Sequence, residues 1–298
     1  MSHSPGTDRQ LLTERAYATD DKLSIRHRTH ELYTVPQIDF TKWVLDCITW
    51  RGDEVVLDIG AGPGLYFGPV RARIPHGQLV AGDLSFGMVR RQRENRLAAG
   101  SGLLNTDAQA LPFPESVFDV VLANHMLYHV PDLDRALAEI RRVLKPTGVL
   151  VAATNSEHNM PEFTTLFRRA LLLVTNFAHD RQFGPVLNTA GPFTLENGLG
   201  RLAKHFYAVA RYDIPSTLVF PEVEPVMAYL DSMRDLGEGQ LPEGITWEQF
   251  MDVMRQQVRR LIGYAGKLVV NKLSGALVAT QAGGFAGEYV AMLKQSWF

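Results

Sequence analysis

The segment VVLDIGAGPG at residues 55–64 joins two patterns that decide the fold. Its first half is an apolar, β-branched run, which is typical of a buried strand. Its second half places glycine at positions 60, 62 and 64. Glycine is required where the backbone takes a positive φ or where a ligand lies directly against the main chain. The segment therefore predicts a strand followed by a ligand-binding turn, although a tight strand-to-helix turn without a ligand would have the same pattern.

Similar strands recur on the C-terminal side of this turn, separated by helical patterns. This alternation indicates crossover units and a parallel sheet. Several of the runs are apolar on both faces, so helices should cover both sides of the sheet. The predicted strands are residues 54–59, 78–83, 103–106, 118–124 and 148–154, and helices should follow Pro63, Ser85 and Asp132.

The remaining parts of the chain are less regular. The first 50 residues have a helical pattern and predict an N-terminal arm. Two helices are expected at 162–177 and 195–205, and two further strands at 207–214 and 276–280. Residues 222–272 carry apolar stripes at helical spacing and are interpreted as a helical insertion that forms a lid over the acceptor. The predicted core domain then comprises residues 51–221 and 273–298.

Composition limits the classes of partner. The 298 residues include 30 basic and 32 acidic side chains, for a net charge of −2, so no overall field attracts nucleic acid. The arginine-rich run at 89–96 is interpreted as a solvated helix, with nucleic-acid contact as the alternative. No apolar run reaches the roughly 20 residues of a spanning helix, so no membrane partner is expected. The single cysteine, Cys47, and the polar N-terminus favour the cytoplasm.

Two acidic residues follow the next predicted strands. Asp83 ends its strand at the edge where open α/β sheets bind ligands, and its carboxylate could accept hydrogen bonds from two ribose hydroxyls. A helix N-cap is the alternative role, for which Ser85 is better suited. Asp107 could receive the exocyclic amine of an adenine, whose ring faces could contact Phe86, Met88 and Leu111.

The spacing of the glycines argues against two common nucleotide sites. A dinucleotide-binding turn has the pattern G-x-G-x-x-G, but Leu65 occupies the place of its third glycine. No Lys-Ser or Lys-Thr pair follows the glycines, so the phosphate-binding Walker pattern is also missing. A nicotinamide reductase is therefore disfavoured.

Taken in order, four motifs resemble the class I S-adenosylmethionine-dependent methyltransferases, specifically the type 11 group that includes the ubiquinone and menaquinone methylases. The motifs cover residues 54–155 and read VLDIGAGPG, AGDLS, DAQALPFPESVFDVVLANHMLYHVPD and EIRRVLKPTGVLVAAT. The resemblance implies an α/β fold with a Rossmann-like, seven-stranded, mostly parallel sheet, and S-adenosylmethionine as the cofactor.

The resemblance also implies residue roles. The methionine part of the cofactor would lie on Asp58 and on the turn formed by Gly60, Ala61, Gly62 and Gly64. The ribose would bind Asp83, with Leu84 and Met88 as neighbouring contacts, and the adenine edge would bind Asp107 and Ala108. Asn124 should lie near the methyl end. The N-terminal segment resembles the arm that closes over the cofactor in some members, with Tyr17 and Arg26 as contacts; Arg26 would hold the methionine carboxylate or simply be solvated.

Catalysis needs mainly alignment, because the sulfonium is already an activated methyl donor. A base is needed only for a protonated acceptor, and the candidates are His129, His125 and His158. His129 is favoured because it lies one helical turn beyond Asn124 and His125. Each histidine also has a purely structural interpretation. The histidines and carboxylates form no ligand cluster at helical spacing, so no metal is expected.

These observations favour methyl transfer to an oxygen or nitrogen of a small-molecule acceptor. The acceptor should be partly apolar or aromatic, because the less family-like segments are rich in aromatic residues, including Phe177, Phe183, Trp247 and Tyr264. A methyltransferase of RNA or protein is one alternative, and a non-catalytic cofactor-binding subunit is another. The oligomeric state does not follow from the sequence.

Overall fold

The computed structural model describes residues 5–175 and 191–281. Its eight strands are β1 Thr34–Val35, β2 Val55–Ile59, β3 Gln78–Asp83, β4 Gly102–Asn105, β5 Phe118–Leu122, β6 Leu144–Asn155, β7 Ala208–Phe220 and β8 Leu268–Thr280. Its α-helices are α1 Arg9–Leu11, α2 Asp21–Tyr33, α3 Phe40–Leu45, α4 Phe67–Arg73, α5 Phe86–Glu94, α6 Leu133–Val143, α7 Pro161–Val174, α8 Leu195–Leu202, α9 Val223–Asp231, α10 Arg234–Gly237 and α11 Trp247–Ala265.

The strands form one sheet in the order β1-β7-β8-β6-β5-β2-β3-β4. Strands β2 to β6 pair in parallel, whereas β8 runs antiparallel to β6. The predicted Rossmann-like α/β class is confirmed. The sheet has eight strands rather than the predicted seven, because Thr34 and Val35 pair with Leu218 and Thr217 of β7. A two-residue strand is too short to leave a pattern in the sequence.

Both faces of the central strands are buried, as their apolar runs predict. Leu57 of β2 belongs to a core cluster that includes Leu137 and Ile140 of α6. Its neighbour Val56 points to the other face and belongs to a cluster that includes Val44 of α3 and Phe67 of α4. Successive residues of a strand point to opposite faces, so one strand contributes to two cores. Strand β2 is therefore packed on both faces, and it fixes the start of the turn that follows it.

The last two strands extend beyond their predicted bounds. The helical interpretation of residues 222–272 is wrong at its C-terminal end, where β8 begins at Leu268. Gly266, with φ +73°, ends α11 in the left-handed conformation that commonly terminates helices. After it, Leu268 and Val270 are buried whereas Val269 is exposed, which is the alternation of a strand. Most of the predicted apolar stripes are buried, including Tyr229, Leu230, Phe250 and Met254, whereas Leu261 near the end of α11 is 38% exposed.

The described chain divides into two compact units. Of the described residues, unit 1 comprises 5–38, 158–175 and 215–273, and unit 2 comprises 39–157, 191–214 and 274–281. Unit 1 has its own core, in which Phe167 of α7 stacks on Phe250 of α11 at 5.7 Å. Most of the predicted arm and the whole predicted lid fall within unit 1; the closing role of both stays a prediction.

The aromatic residues expected around the acceptor differ in exposure, and some of them fall outside the described residues. Trp247 is a core residue of unit 1 with 1% of its surface exposed, whereas Tyr264 is 94% exposed. Phe177, Phe183 and the C-terminal end of the predicted domain fall outside the described residues. Among the helices that the structure describes, none has the length and apolar character needed to cross a membrane.

Candidate cofactor-binding site

The turn after β2 takes a backbone path that only glycine permits without strain. Gly60, Gly62 and Gly64 have φ values of +70°, +54° and +90°. A Cβ on Gly60 would lie 2.6 Å from Cβ of Met126, and one on Gly64 would lie 2.5 Å from Cε2 of Phe67. Both distances are too short for carbon atoms. The sequence needs glycine here for backbone conformation and for close packing.

Hydrogen bonds fix this turn to the end of β3. The N–H groups of Gly60 and Ala61 donate to the carbonyl oxygen of Gly82, at 2.8 and 3.1 Å. The N–H of Gly62 donates to Oδ2 of Asp83 at 2.8 Å. The glycine turn and the carboxylate predicted to bind ribose are therefore adjacent and hydrogen-bonded to each other.

Asp83 also accepts a hydrogen bond at Oδ1 from the N–H of Ser85, at 2.8 Å. The N-cap of α5 is Ser85 itself, whose hydroxyl accepts from the N–H of Met88 at 3.3 Å. The alternative role of Asp83 as the helix cap is thus taken by Ser85. Burial raises the pKa of Asp83, and the two backbone N–H groups oppose that rise. Each carboxylate oxygen keeps lone pairs for further donors.

Asp58 lies at the end of β2 with 1% of its surface exposed. Its Oδ2 has no hydrogen-bond partner among the described residues. Burial, and secondarily the charge of Asp83, raise its pKa to about 7. An unpaired buried carboxyl is costly. A cationic ligand group placed against Oδ2 would both satisfy it and favour its ionised form.

Asn124 offers a second buried polar atom without a partner. Its Oδ1 accepts a hydrogen bond from the N–H of Ala153 at 3.0 Å, which fixes the amide plane after β5. Its Nδ2 has no partner within the described chain. The unpartnered atoms of Asp58 and Asn124, together with the glycine turn, fit a ligand that carries hydrogen-bond donors and acceptors.

Asp107 is held by Gln109, a residue that sequence reasoning missed. The side-chain amide of Gln109 donates to both carboxylate oxygens of Asp107 at 3.1 Å, and its backbone N–H donates to Oδ1 at 2.9 Å. Its Oε1 accepts from the N–H of Asp132, the N-cap of α6. Gln109 therefore links the Asp107 carboxylate to the start of α6, and this link fixes the orientation of the carboxylate.

The apolar groups predicted beside the adenine and the ribose differ in exposure. Ala108, Met88 and Leu111 are buried, with 5%, 1% and 4% of their surfaces exposed. Leu84 is half-buried, whereas Phe86 is 59% exposed. Phe86 therefore has the most surface available for a further contact.

Gln92 is the second residue that sequence reasoning missed. It lies within the arginine-rich run at 89–96 that was expected to be a solvated helix. Arg90 and Arg93 are exposed, but Gln92 is fully buried. Its Nε2 donates to the carbonyl oxygen of Gly62 at 2.8 Å and so supports the glycine turn from α5. The signal in the sequence was its spacing, four residues after the buried Met88.

Aromatic rings follow Asn124. His125 has a φ of +54°, which is strained for a residue other than glycine. Its ring centroid lies 5.4 Å from that of Phe40 and 6.4 Å from that of Tyr128. The His129 ring meets Tyr128 at 4.5 Å, edge to face. Two of the three candidate bases therefore contact the same tyrosine ring within unit 2.

The other predicted residues belong to unit 1. Arg26 lies over the ring of Tyr17 at 5.8 Å and donates to the carbonyl oxygen of Ser232 at 2.9 Å. These two contacts hold its guanidinium within unit 1. His158 lies in an exposed turn. The described residues contain no cluster of three or more histidine, cysteine or acidic side chains arranged to hold a metal ion.

Comparison with known proteins adds independent information. The sequence model of the methyltransferase domain family matches residues 57–152. Malonyl-[acyl-carrier protein] O-methyltransferase of Geobacter sulfurreducens is 27% identical, over 82% of this chain and 93% of that protein. The enzyme of the same name from Salmonella typhimurium is 31% identical, over 67% of this chain and 71% of that protein.

Solved structures share this fold. Phosphoethanolamine N-methyltransferase 2 of Haemonchus contortus, solved with S-adenosylhomocysteine, superposes with a TM-score of 0.52 at 16% identity, over 91% of this chain and 59% of that one. At this identity the superposition shows a shared fold. The family match and the two sequence relatives establish that the chain belongs to the S-adenosylmethionine-dependent methyltransferases, with S-adenosylmethionine as its cofactor.

Proposed function

We propose that this methyltransferase transfers the methyl group to an oxygen or nitrogen of a small organic acceptor that is partly apolar or aromatic. The observation that carries the proposal is the character of the segment that follows β5. Residues 124–131 read NHMLYHVP and contain no lysine, arginine or acidic residue. Half-buried rings of Phe40, His125, Tyr128 and His129 contact one another there. Such a surface suits an organic molecule better than a phosphate backbone.

The relatives support an oxygen acceptor. The two that match over most of their length are named as O-methyltransferases of a malonyl group carried by a protein. A free acceptor and one tethered to a carrier would present the same reacting oxygen. Methylation of RNA or of a protein side chain remains the alternative. A non-catalytic role is disfavoured, because the glycine turn, Asp58, Asp83 and Asp107 are all present.

The cofactor would be held by residues of unit 2. Bound S-adenosylmethionine supplies a methyl group on a positively charged sulfur, which a nucleophile must approach in line with the carbon–sulfur bond. The carboxylate of Asp58 would accept from the ammonium group of the methionine part. Asp83 would accept from the ribose hydroxyls with the lone pairs that Gly62 and Ser85 leave. Asp107, oriented by Gln109, and the backbone at Ala108 would bind the adenine edge.

The acceptor would then be positioned and deprotonated beside Asn124. The ring faces of Phe40 and Tyr128 would bind its apolar part and exclude water. An imidazole nitrogen of His129 or His125 would take the proton from an acceptor hydroxyl as the oxygen bonds to the methyl carbon. The electron pair of the broken carbon–sulfur bond would stay on the sulfur, which would lose its positive charge, and Asp58 and Asn124 would hold the methionine end and the methyl end of the cofactor.

Radioactive methyl transfer tests the acceptor class directly. The enzyme would be incubated with methyl-labelled S-adenosylmethionine and with separate small-molecule, RNA and protein fractions of the source organism. We expect the label in the small-molecule fraction, and mass spectrometry would identify the product. Label recovered only in RNA or in methylated amino acids of the protein fraction would overturn the proposal, whereas label on an organic group released from a carrier protein would support it.

Replacement of Asp83 by asparagine should weaken cofactor binding and also destabilise the fold. The charge that strengthens the ribose hydrogen bonds is lost, at a cost of about 1 to 3 kcal/mol in affinity. One asparagine NH2 must also face the N–H of Gly62 or Ser85, so the melting temperature should fall. Calorimetry with S-adenosylhomocysteine measures the first effect. Asp53→Asn, at an exposed carboxylate paired with Arg51, is the matched control; equal affinities in both variants would remove Asp83 from the site.

The pKa of Asp58, about 7, predicts a pH dependence with a definite sign. A carboxyl whose pKa is raised on folding stays protonated in the native state while it ionises in the unfolded state. The ligand-free protein should therefore lose stability as the pH rises from about 4 to about 7, and change little from this cause above that range. Affinity for S-adenosylhomocysteine should rise over the upper part of the range, because the ligand ammonium favours the ionised form.

Asp58→Asn serves as the control for this pH dependence, since an amide does not titrate. The variant should lose both the stability change and the affinity change, as followed by thermal unfolding and calorimetry at several pH values. Retention of the full pH dependence in Asp58→Asn would assign it to another group.

Replacement of the histidines tests the base. If the acceptor is a hydroxyl or a protonated amine, His129→Gln or His125→Gln should lower the methyl-transfer rate by about 10² to 10⁴ and flatten the acidic limb of the pH–rate profile. Affinity for S-adenosylhomocysteine should stay within a few-fold. His158→Gln, in the exposed turn, provides the comparison. If all three variants keep near-normal rates, alignment alone accounts for catalysis.

A further inference from the structure

Tyr66 carries a buried hydroxyl that the site described above does not use. The residue lies between Gly64 and the first turn of α4, for which it is the N-cap residue. Only 6% of its surface is exposed, and its ring packs in the apolar cluster that contains Val44, Ala61 and Phe67. Its hydroxyl makes no hydrogen bond to any of the described residues.

This hydroxyl lies in the electrostatic field of Asp58. Burial raises the pKa of Tyr66 well above its ordinary value, and the charges of Asp58 and Asp39 raise it further. The raised pKa favours the protonated hydroxyl, which can act as a hydrogen-bond donor. Oδ2 of Asp58 is the complementary case, a buried acceptor without a partner among the described residues.

The Tyr66 hydroxyl is a buried donor and Oδ2 of Asp58 is a buried acceptor, and neither has a partner among the described residues. The two residues flank the same glycine turn, so one ligand could satisfy both groups. Each one costs free energy unless a hydrogen-bonding group meets it. A zwitterion of the amino-acid type matches both, because its ammonium group donates and its carboxylate accepts. S-adenosylmethionine carries such a group at its methionine end.

We propose that the Tyr66 hydroxyl binds the carboxylate of the methionine end of S-adenosylmethionine, while Asp58 binds the ammonium group. The inference rests on the cofactor role proposed for Asp58. It adds the Tyr66 hydroxyl, a neutral donor within unit 2, as the group that binds the carboxylate of the cofactor. Tyr66 is thus a binding residue of this site, and its ring fixes the position of the donor by packing against the helix that precedes β2.

Three ligands separate this role from a structural one. S-adenosylhomocysteine has both charged groups, S-adenosyl-3-thiopropylamine has only the amine, and 5′-methylthioadenosine has neither. Tyr66→Phe removes only the hydroxyl, so its affinity for S-adenosylhomocysteine should fall roughly 10- to 100-fold, whereas affinities for the other two ligands should not change. Asp58→Asn should weaken the binding of the first two ligands and spare the third.

Thermal unfolding without ligand gives a second, independent readout. Because the hydroxyl has no described partner, Tyr66→Phe should raise the melting temperature by roughly 2 to 4 °C. Tyr229→Phe is the matched control, since the buried hydroxyl of Tyr229 bonds to Sδ of Met160 at 3.4 Å and its loss should bring no gain.

The outcomes are distinct. Equal weakening of all three ligands by Tyr66→Phe, or no weakening of any, would overturn the assignment and leave the hydroxyl to a buried water. A selective effect of Tyr66→Phe with no effect of Asp58→Asn would support the tyrosine and refute the proposed role of Asp58. Failure of all three adenosyl ligands to bind the unmodified protein would refute the proposed site as a whole.

Discussion

The hydrogen bonds between the glycine turn and the end of β3 are the constraint on which the site depends. Gly60 and Ala61 donate to Gly82, and Gly62 donates to Asp83, so the two strand ends are fixed to each other before any ligand is considered. This path is open only because Gly60 and Gly64 have no Cβ against Met126 and Phe67. The geometry of this candidate binding edge is therefore a consequence of close backbone packing between neighbouring parallel strands.

The same arrangement places two carboxyl groups where water cannot reach them freely. Asp83 is compensated by two backbone N–H groups, whereas Asp58 has a buried oxygen with no described partner. The charge of Asp83 disfavours the ionised form of Asp58. A cationic group bound beside Asp58 would offset that effect and favour its ionised form.

Features that depend on local sequence could be predicted, and features that depend on distant partners could not. The strand-turn pattern at 55–64 and the acidic end of β3 are local, so the sheet, the turn and the position of Asp83 followed from the sequence. Gln92 was missed because its partner, the carbonyl of Gly62, lies 30 residues away. The start of β8 was missed because its alternation of buried and exposed residues directly follows the helical pattern of α11. The roles of the site residues stay predictions, because they concern a ligand.

Unit 1 is built from separate segments of the chain, and this affects the order in which its contacts can form during translation. Unit 2 contains the unbroken segment 39–157, which carries β2 to β6 and every residue from Asp58 to Asn124. The ribosome synthesises that segment without interruption by residues of unit 1. Helix α2 is synthesised earlier, yet Arg26 bonds to Ser232, 206 residues further along. Because a contact cannot form before both partners exist, α2 can make this contact only after Ser232 has been translated, whereas the candidate site residues between Asp58 and Asn124 are all synthesised well before that point.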